Sequence, residues 1–411
     1  MSNISKTPAG NYRANWREPS GRLRAKTFRT KKEAARFLAE LDTTITKGTY
    51  VDPHAGRMKF EVLAERWLAS RNDEATTRAR DASIMRNHVV AKWGEWPLGK
   101  IDHLAVQEWI SALGERRAPA TVAQCHRLLS AVLRSAVRSR IIAFNPCEGV
   151  RLPKQRKRDT DHQVISRDDL RGRLLPVVPT RYRALVGTAA GTGLRWGEAT
   201  GLCLDALDLD RRQLRVIRTV VEVSGNTRFK AFPKSAAGRR TIPLPAWLLP
   251  ILAEHLDLFP AGDHGLLFGN SVGKPLRRTL FRSRVWRPAL VRAGLLGQLV
   301  VVDEHTVRAG WTDGDGGEHT KEFPTEREAV QHLARSAAGG LRFHDLRHSY
   351  ATWLVDDGVP INMVQRVMGH ERSTTTLDLY TRRTDGHDRI LRALGEDDDE
   401  DGPAGALVPV G

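Results

Sequence analysis

The sequence predicts a multidomain protein. A small β-sheet-plus-helix module, an all-α bundle and a mainly α-helical domain with a small antiparallel β-sheet (α+β) follow one another. The 411 residues exceed the length at which a single hydrophobic core stops growing. Apolar residues alternate near the N-terminus, recur at helical spacing from Phe60 to about Phe144, and then show mixed helix and strand patterns. These changes of period predict the order of the three domains.

The N-terminal module is expected over residues 1–55. Tyr12, Ala14 and Trp16 alternate, a turn is predicted at residues 19–21, and residues 23–28 return as a second strand. Thr30 lies three residues before Glu33, as in a capping box, and starts a helix. Residues 1–50 carry eleven Lys and Arg against four acids. The module therefore has the charge of a DNA-binding surface.

An all-α bundle is expected over residues 58–148. Phe60, Leu63 and Trp67 mark the first apolar face, and further helices are predicted at 76–91, 103–113 and 119–138. A basic linker, residues 149–163, follows and includes RLPKQRKR at 151–158, with five basic residues in eight. We expect this linker to lie along DNA phosphates.

The third domain is expected over residues 164–394. Helices are predicted at 168–174, 181–190 and 197–203, strands at 213–223, 227–232 and 239–244, and helices again at 247–258 and 276–293. Residues 395–411 contain the run EDDDED and are expected to be a disordered acidic tail.

An internal repeat interrupts this domain. Residues 307–335 align without a gap to residues 12–40 at an offset of 295, with eleven identities in 29 positions. A module-like repeat is therefore expected at about 303–338. Between His305 and Arg335 it has four basic and six acidic residues, because five basic positions have changed. These are Arg22, Arg24, Arg29, Lys31 and Arg36, replaced by Gly317, His319, Pro324, Glu326 and Gln331. We expect the repeat mainly to contact protein, with DNA binding as the second alternative.

Composition restricts the class of function. The net charge of +17 and the pI of about 10.3 favour a polyanionic partner such as nucleic acid. Cys125, Cys147 and Cys203 lack the spacing of a zinc site or a disulfide framework, so reduced, buried thiols are expected. We expect a cytoplasmic protein, since no stretch has the length of a membrane span and the N-terminus has no signal-peptide pattern.

Three segments of the third domain carry residues suited to an anionic phosphorus centre. They are GTGLRWGEATGL around Arg195, HDLRH from His344 to His348, and MGHERSTTTLDLY ending at Tyr380. Arginine forks bind two phosphate oxygens at once, and a phenol can store a phosphodiester as a covalent intermediate. His344 and Arg347 are three residues apart, so one helical face presents both. Glu198 is placed to support Arg195 from the same face.

In these segments the sequence resembles the tyrosine recombinases, the phage integrase family. The resemblance covers about residues 1–300 and 340–394. It implies an arm-type DNA-binding module at 1–55, a core-binding domain at 58–148 and a catalytic domain at 164–394. It also assigns Tyr380 as nucleophile, Arg195 and Arg347 as phosphate-binding arginines, and His344 and His370 as hydrogen-bond partners of the phosphate. His348 is expected to be a packed or hydrogen-bonded residue.

The resemblance further implies a lysine on a β-hairpin turn as the proton donor to the leaving 5′-oxygen. Lys234 in FPKSAAGRRTIPL matches this position, and Lys230 is the competitor. No metal ligands and no cofactor are expected. The residues predicted to contact DNA are Arg13, Arg22, Arg24, Lys26, Arg151, Lys154 and Arg156.

The resemblance implies a site-specific recombinase that integrates or excises a phage or mobile element through a 3′-phosphotyrosyl intermediate. The implied partners are double-stranded DNA attachment sites and a homo-tetramer assembled on them, and no membrane. Participation of an excision or directionality factor is left open. The alternative is a topoisomerase- or resolvase-like strand-transfer enzyme without integration, whose signature would be relaxation of supercoils at arbitrary sequences.

Overall fold

The computed structural model describes residues 2–18, 21–47, 50, 55–154, 163–230 and 239–369. The chain forms two compact units, Met1–Thr160 and Asp161–Gly411. Both units contain helices and small antiparallel sheets. This confirms the predicted α+β multidomain class. In the described part of the chain, every helix is too short or too polar to cross a membrane.

The first unit begins with a three-stranded antiparallel sheet and one helix. The sheet order is β1-β2-β3, and the predicted hairpin of β2 and β3 is present, with Tyr12 paired with Phe28. The Thr30 hydroxyl accepts from the Glu33 N–H while Glu33 caps Thr30 in return, so the capping box is confirmed. Ala14, Trp16 and Leu38 are buried between sheet and helix. The elements are β1 (Asn3–Lys6), β2 (Tyr12–Arg17), β3 (Leu23–Phe28) and α1 (Lys31–Thr46).

The rest of the first unit is a helical bundle around Phe60, Trp93 and Leu129, which are fully buried. The π-helical stretch Met85–Val90 joins two of its helices into one continuous rod. All three cysteines of the chain are free and buried, as expected, and two of them lie in this bundle. The helices are α2 (Phe60–Ala69), α3 (Ala75–Ile84), α4 (Ala91–Trp93), α5 (His103–Arg116) and α6 (Pro119–Arg138).

The second unit surrounds a core that includes Leu185, Leu290 and Leu346. Its helices before the repeat are α7 (Leu175–Val177), α8 (Thr180–Thr192), α9 (Trp196–Ala199), α10 (Leu249–Leu258), α11 (Arg278–Phe281) and α12 (Arg287–Arg292). Its strands in this part are β4 (Leu207–Asp208), β5 (Gln213–Val216), β6 (Thr219–Val223), β7 (Asn226–Lys230) and β8 (Arg240–Pro243).

Two predicted elements of this unit are different in the structure. The strand predicted at 213–223 is two strands in separate sheets, because β5 pairs with β4 and β8 whereas β6 pairs with β7. Arg218 lies at the break, and its guanidinium donates to both carboxylate oxygens of Asp205 at 2.8 and 2.6 Å. The helix predicted at 197–203 ends at Ala199.

The repeat forms a second copy of the N-terminal module. Its sheet consists of β9 (Gln298–Asp303), β10 (Thr306–Thr312) and β11 (Glu318–Phe323), followed by α13 (Glu326–Ser336). Val307 pairs with Phe323 as Tyr12 pairs with Phe28, and Gly310 pairs with Gln298 as Asn15 pairs with Asn3. The repeat therefore begins at Gln298, and its first strand was missed by the boundary at 303.

The repeat shares the core of the unit that carries it. Val307, Ala309 and Leu333 belong to the same buried cluster as Leu290 of α12. The buried guanidinium of Arg287 donates to the carbonyls of Ala334, Ala337 and Gly339 at the end of the module. Among the described residues, two further helices follow, α14 (Asp345–Asp356) and α15 (Ile361–Met368).

Candidate active site

Arg195 lies at the N-terminal end of α9, where the backbone has just left α8 through Gly193. Its guanidinium donates to Glu198 Oε1 at 2.8 Å and to the carbonyl oxygen of Gly369 at 3.0 Å. The side chain keeps 41% of its surface exposed. Arg195 is therefore fixed in direction while still able to reach a ligand.

Arg347 lies on the first turn of α14 and is buried, with 2% of its surface exposed. Its guanidinium donates to the carbonyl oxygens of Gly193 and Met368. Because Met368 and Gly369 are adjacent, the two arginines predicted from separate segments meet at the end of α15. The structure thus brings Arg195 and Arg347 to one place.

His344 immediately precedes α14, on the same side as Arg347. Its pKa is lowered to about 4, chiefly by loss of hydration among the surrounding protein groups. The positive charges of Arg347, Arg195 and Arg278 act in the same direction. The residue as a whole is exposed, and with its lowered pKa it presents a neutral imidazole at pH 7. The ring of His348 packs edge-to-face against it at 5.0 Å between centroids.

Glu198 is buried beneath Arg195 and holds a second arginine as well. Arg240 Nη2 lies 2.9 Å from Glu198 Oε2, and its Nη1 lies 3.3 Å from Oε1. Burial by itself raises the pKa of Glu198, but the hydrogen bond and charge of Arg240 and the charge of Arg195 outweigh it and give a pKa of about 2. The carboxylate is ionised at pH 7 and neutralises part of the positive charge around it.

Two glycines of the first segment make room for this arrangement. Gly193 has a φ of +64°, and a Cβ there would lie 2.4 Å from the Tyr350 ring. A Cβ at Gly197 would lie 2.5 Å from the carbonyl oxygen of Val220 on β6. Close approach of α14 and of β6 to the Arg195 segment therefore requires glycine at these positions.

Three of the predicted catalytic residues, Lys234, His370 and Tyr380, lie outside the described residues, as does the predicted DNA contact Arg156. Gly369, whose carbonyl binds Arg195, directly precedes His370. Lys230, the competitor of Lys234, ends β7. Sequence reasoning missed Arg240, Gly193 and Gly197. The available signal was the strand period: Arg240 is two residues before the apolar Ile242, so both side chains lie on the same face of the predicted strand.

The predicted DNA-binding side chains differ in their surroundings. Arg13, Arg22, Arg151 and Lys154 are exposed. Arg24 is largely buried and donates to Glu18 at 2.8 Å, and the Lys26 ammonium lies 5.0 Å from the centre of the Phe37 ring. Arg24 thus contributes to the packing of the module as well as to its charge. Over the described ranges, no three His, Cys, Asp or Glu side chains converge in the manner of a metal site.

Comparison with known proteins shows which families and relatives this chain resembles. Residues 319–387 match the model of the phage integrase family, and residues 60–152 match that of the phage integrase central domain. A putative prophage phiRv2 integrase of Mycobacterium tuberculosis is 28% identical over 398 residues, covering 94% of this chain and 92% of the relative. A tyrosine recombinase XerC-like protein of Caldanaerobacter subterraneus is 26% identical over 389 residues, covering 89% and 90%.

Solved structures show the same fold. The Tn1549 transposon integrase in complex with circular intermediate DNA has a TM-score of 0.61 at 19% identity, covering 82% of this chain and 99% of that one. A lambda integrase dimer bound to a core site has a TM-score of 0.52 at 14% identity, covering 92% and 94%. The two phage integrase matches, the relatives that are similar over most of the chain and the convergence of Arg195 and Arg347 on the end of α15 identify a DNA-recombining enzyme of the tyrosine recombinase type.

Proposed function

We propose that the protein integrates or excises a phage or mobile element by cutting and rejoining double-stranded DNA at attachment sites, with Tyr380 as the nucleophile. The observation that carries the proposal is the convergence of Arg195 and Arg347 on the end of α15, immediately before His370. The positive charge collected there suits a phosphodiester whose transition state gains negative charge on its non-bridging oxygens.

The chemistry follows from the charges of these groups. The Tyr380 oxygen forms a bond to phosphorus as the phenol releases its proton to solvent, and the bond from phosphorus to the 5′-oxygen breaks as that oxygen takes up a proton from the general acid. Arg195 and Arg347 bind the non-bridging oxygens, and the neutral His344 contributes a hydrogen bond without further charge. His370 is proposed to donate to the same phosphate. The energy of the broken ester is kept in the 3′-phosphotyrosyl bond, so a 5′-hydroxyl of another strand can reverse it.

Lys234 is proposed as the acid that protonates the leaving 5′-oxygen. It lies in the segment between β7 and β8, and β8 itself carries Arg240 next to Glu198. General acids contribute about 10²- to 10⁴-fold to such reactions, so Lys234→Ala should slow cleavage without weakening DNA binding. Slowing by Lys230→Ala instead would transfer the role to Lys230.

The arm-type module, the core-binding domain and the basic linker are proposed to hold the duplex. Arg13, Arg22, Arg151 and Lys154 are exposed as this requires. The lambda integrase whose fold resembles this one was solved as a dimer on a core site, and the Tn1549 integrase was solved with DNA. We propose a homo-tetramer on paired attachment sites, acting in the cytoplasm.

A nicked suicide substrate tests the proposal. When the strand next to the cut site is nicked, the cleaved fragment diffuses away and the enzyme stays covalently attached to DNA. The wild-type chain should accumulate a protein–DNA adduct, and Tyr380→Phe should form none while still shifting the same duplex in a gel. An adduct of undiminished yield in Tyr380→Phe would refute the assignment of the nucleophile.

A further inference from the structure

Three successive carbonyl oxygens at the end of α15 each accept a hydrogen bond from a different arginine. Val367 accepts from Arg240 Nε at 2.6 Å, Met368 accepts from Arg347, and Gly369 accepts from Arg195 at 3.0 Å. The last carbonyls of a helix have no partner within the helix and carry partial negative charge. The three arginines therefore bind this helix end as they would bind an anion.

Arg240 is about as buried as Arg347 and far more buried than Arg195. Its side chain is 4% exposed and Arg347 is 2% exposed, against 41% for the side chain of Arg195. Arg240 contacts both oxygens of Glu198, and Glu198 in turn holds Arg195. Arg240 thus connects the carboxylate that fixes Arg195 with the helix end that precedes His370.

We propose that Arg240 is a positioning residue for the nucleophile. Arg240 bridges the Val367 carbonyl and the Glu198 carboxylate, and so it fixes the end of α15, from which the chain continues to His370 and Tyr380. The inference rests on the proposed function, because Tyr380 has to be the group that attacks. Misplacement of a reacting group by about 1 Å can cost about 100-fold in rate, so a loose helix end should be visible in the cleavage step.

Slow cleavage by an Arg240 variant could also arise from a misplaced general acid, and this cause has to be distinguished. Arg240 begins β8, directly after the segment that contains Lys234, so its loss could disturb the general acid instead of the nucleophile. A substrate with sulfur in place of the bridging 5′-oxygen distinguishes the two. The leaving thiolate needs no proton, since a thiol is far more acidic than an alcohol. This substrate therefore bypasses the acid but still requires an aligned nucleophile.

The experiment measures the rate of adduct formation with nicked oxygen- and sulfur-bridged duplexes in the full-length protein. Arg240→Gln should be slower by about 100-fold on both substrates while its DNA affinity stays within about twofold. Arg240→Lys should fall between wild type and Arg240→Gln, because an ammonium keeps the charge but cannot match the planar fork. Lys234→Ala should be slow on oxygen and recover on sulfur.

Arg308→Gln is the matched control. It removes one guanidinium that is bound to a carboxylate of the same unit, on β10 of the repeat, and should cleave at the wild-type rate. Wild-type cleavage by Arg240→Gln, or its recovery on the sulfur substrate, would overturn the proposal. If Arg240→Gln melts below the assay temperature, the same comparison is made with Arg240→Lys. An adduct that persists in Tyr380→Phe would count against the proposed function instead.

Discussion

At the scale of single residues, the site depends on positions that carry no catalytic group. Gly193 is the clearest of these. Its left-handed backbone ends α8, its carbonyl binds Arg347, and the space of its missing Cβ is taken by the Tyr350 ring. Packing at this one residue therefore sets the distance between the helix that carries Arg347 and the segment that carries Arg195.

Gly193→Ala is expected to destabilise the second unit and to reduce cleavage. The left-handed conformation costs a residue with a Cβ about 1 kcal/mol, and the contact with Tyr350 adds about 1–3 kcal/mol of overpacking. Thermal unfolding and adduct formation measure the two effects. Gly172→Ala is the control, because a Cβ there meets no atom within 4 Å. Equal melting temperatures for the two variants would contradict this account of Gly193.

Glu198 predicts a pH dependence with a definite sign. Its folded pKa of about 2 lies below the ordinary value of 4.5, so its contribution to stability is present above pH 4.5 and is lost as the pH falls toward 2. The contribution is at most about 3 kcal/mol. Glu198→Gln should lower the melting temperature at pH 7, and the gap from wild type should shrink by more than half at pH 3. A gap that stays constant would exclude an ionised Glu198 as its source.

At the scale of elements, the sequence predicted the helices and strands that depend on residue spacing within one segment. The capping box at Thr30, the paired strands β2 and β3, and helices α5 and α6 each depend on spacing within one segment. The division of residues 213–223 into β5 and β6 was not predictable in this way, because it depends on the different partner strands with which the two halves pair. Strand β9 was missed because the repeat's identities do not extend to QLVV, although the register does.

The residues of the candidate site also differ in whether a local motif predicts them. Arg195, His344 and Arg347 were predicted from motifs, and Glu198 from its spacing to Arg195; the structure places Arg195 against Glu198 and brings both arginines to the end of α15. Arg240 was not identified, because its role arises only when β8 and the end of α15 meet at Glu198. A residue that acts through long-range contacts leaves almost no local pattern in the sequence.

At the scale of the whole molecule, two copies of one module differ in charge. On β10, Arg308 occupies the position that Arg13 has on β2, but Arg308 donates to Glu322 at 2.8 Å. The counterpart of Glu322 in the N-terminal module is Thr27. The same sheet face is therefore cationic in one copy and neutralised in the other, which favours a DNA-binding role for the N-terminal copy only.

This pair of positions provides a matched test. Arg13→Gln should weaken binding to arm-type DNA and reduce the slope of log affinity against log salt by about 0.9, the loss of one phosphate contact. Arg308→Gln should leave both affinity and slope unchanged, because its charge is already balanced by Glu322. Affinity measured by fluorescence anisotropy from low to physiological salt gives both quantities. An equal loss of slope in the two variants would mean that the second copy also binds DNA.

The fusion of the second module with its host core has a consequence for evolution. The chain leaves and re-enters the host at neighbouring points, since the side chain of Leu296 lies against Gly340, so a short bridge could close the gap left by excising the module. Excision would nevertheless uncover the apolar surface of α12 that Leu333 and Val330 now fill, and would remove the carbonyls that bind the buried Arg287. An insertion of this kind does not revert by simple loss, because the host has come to depend on it for its own stability.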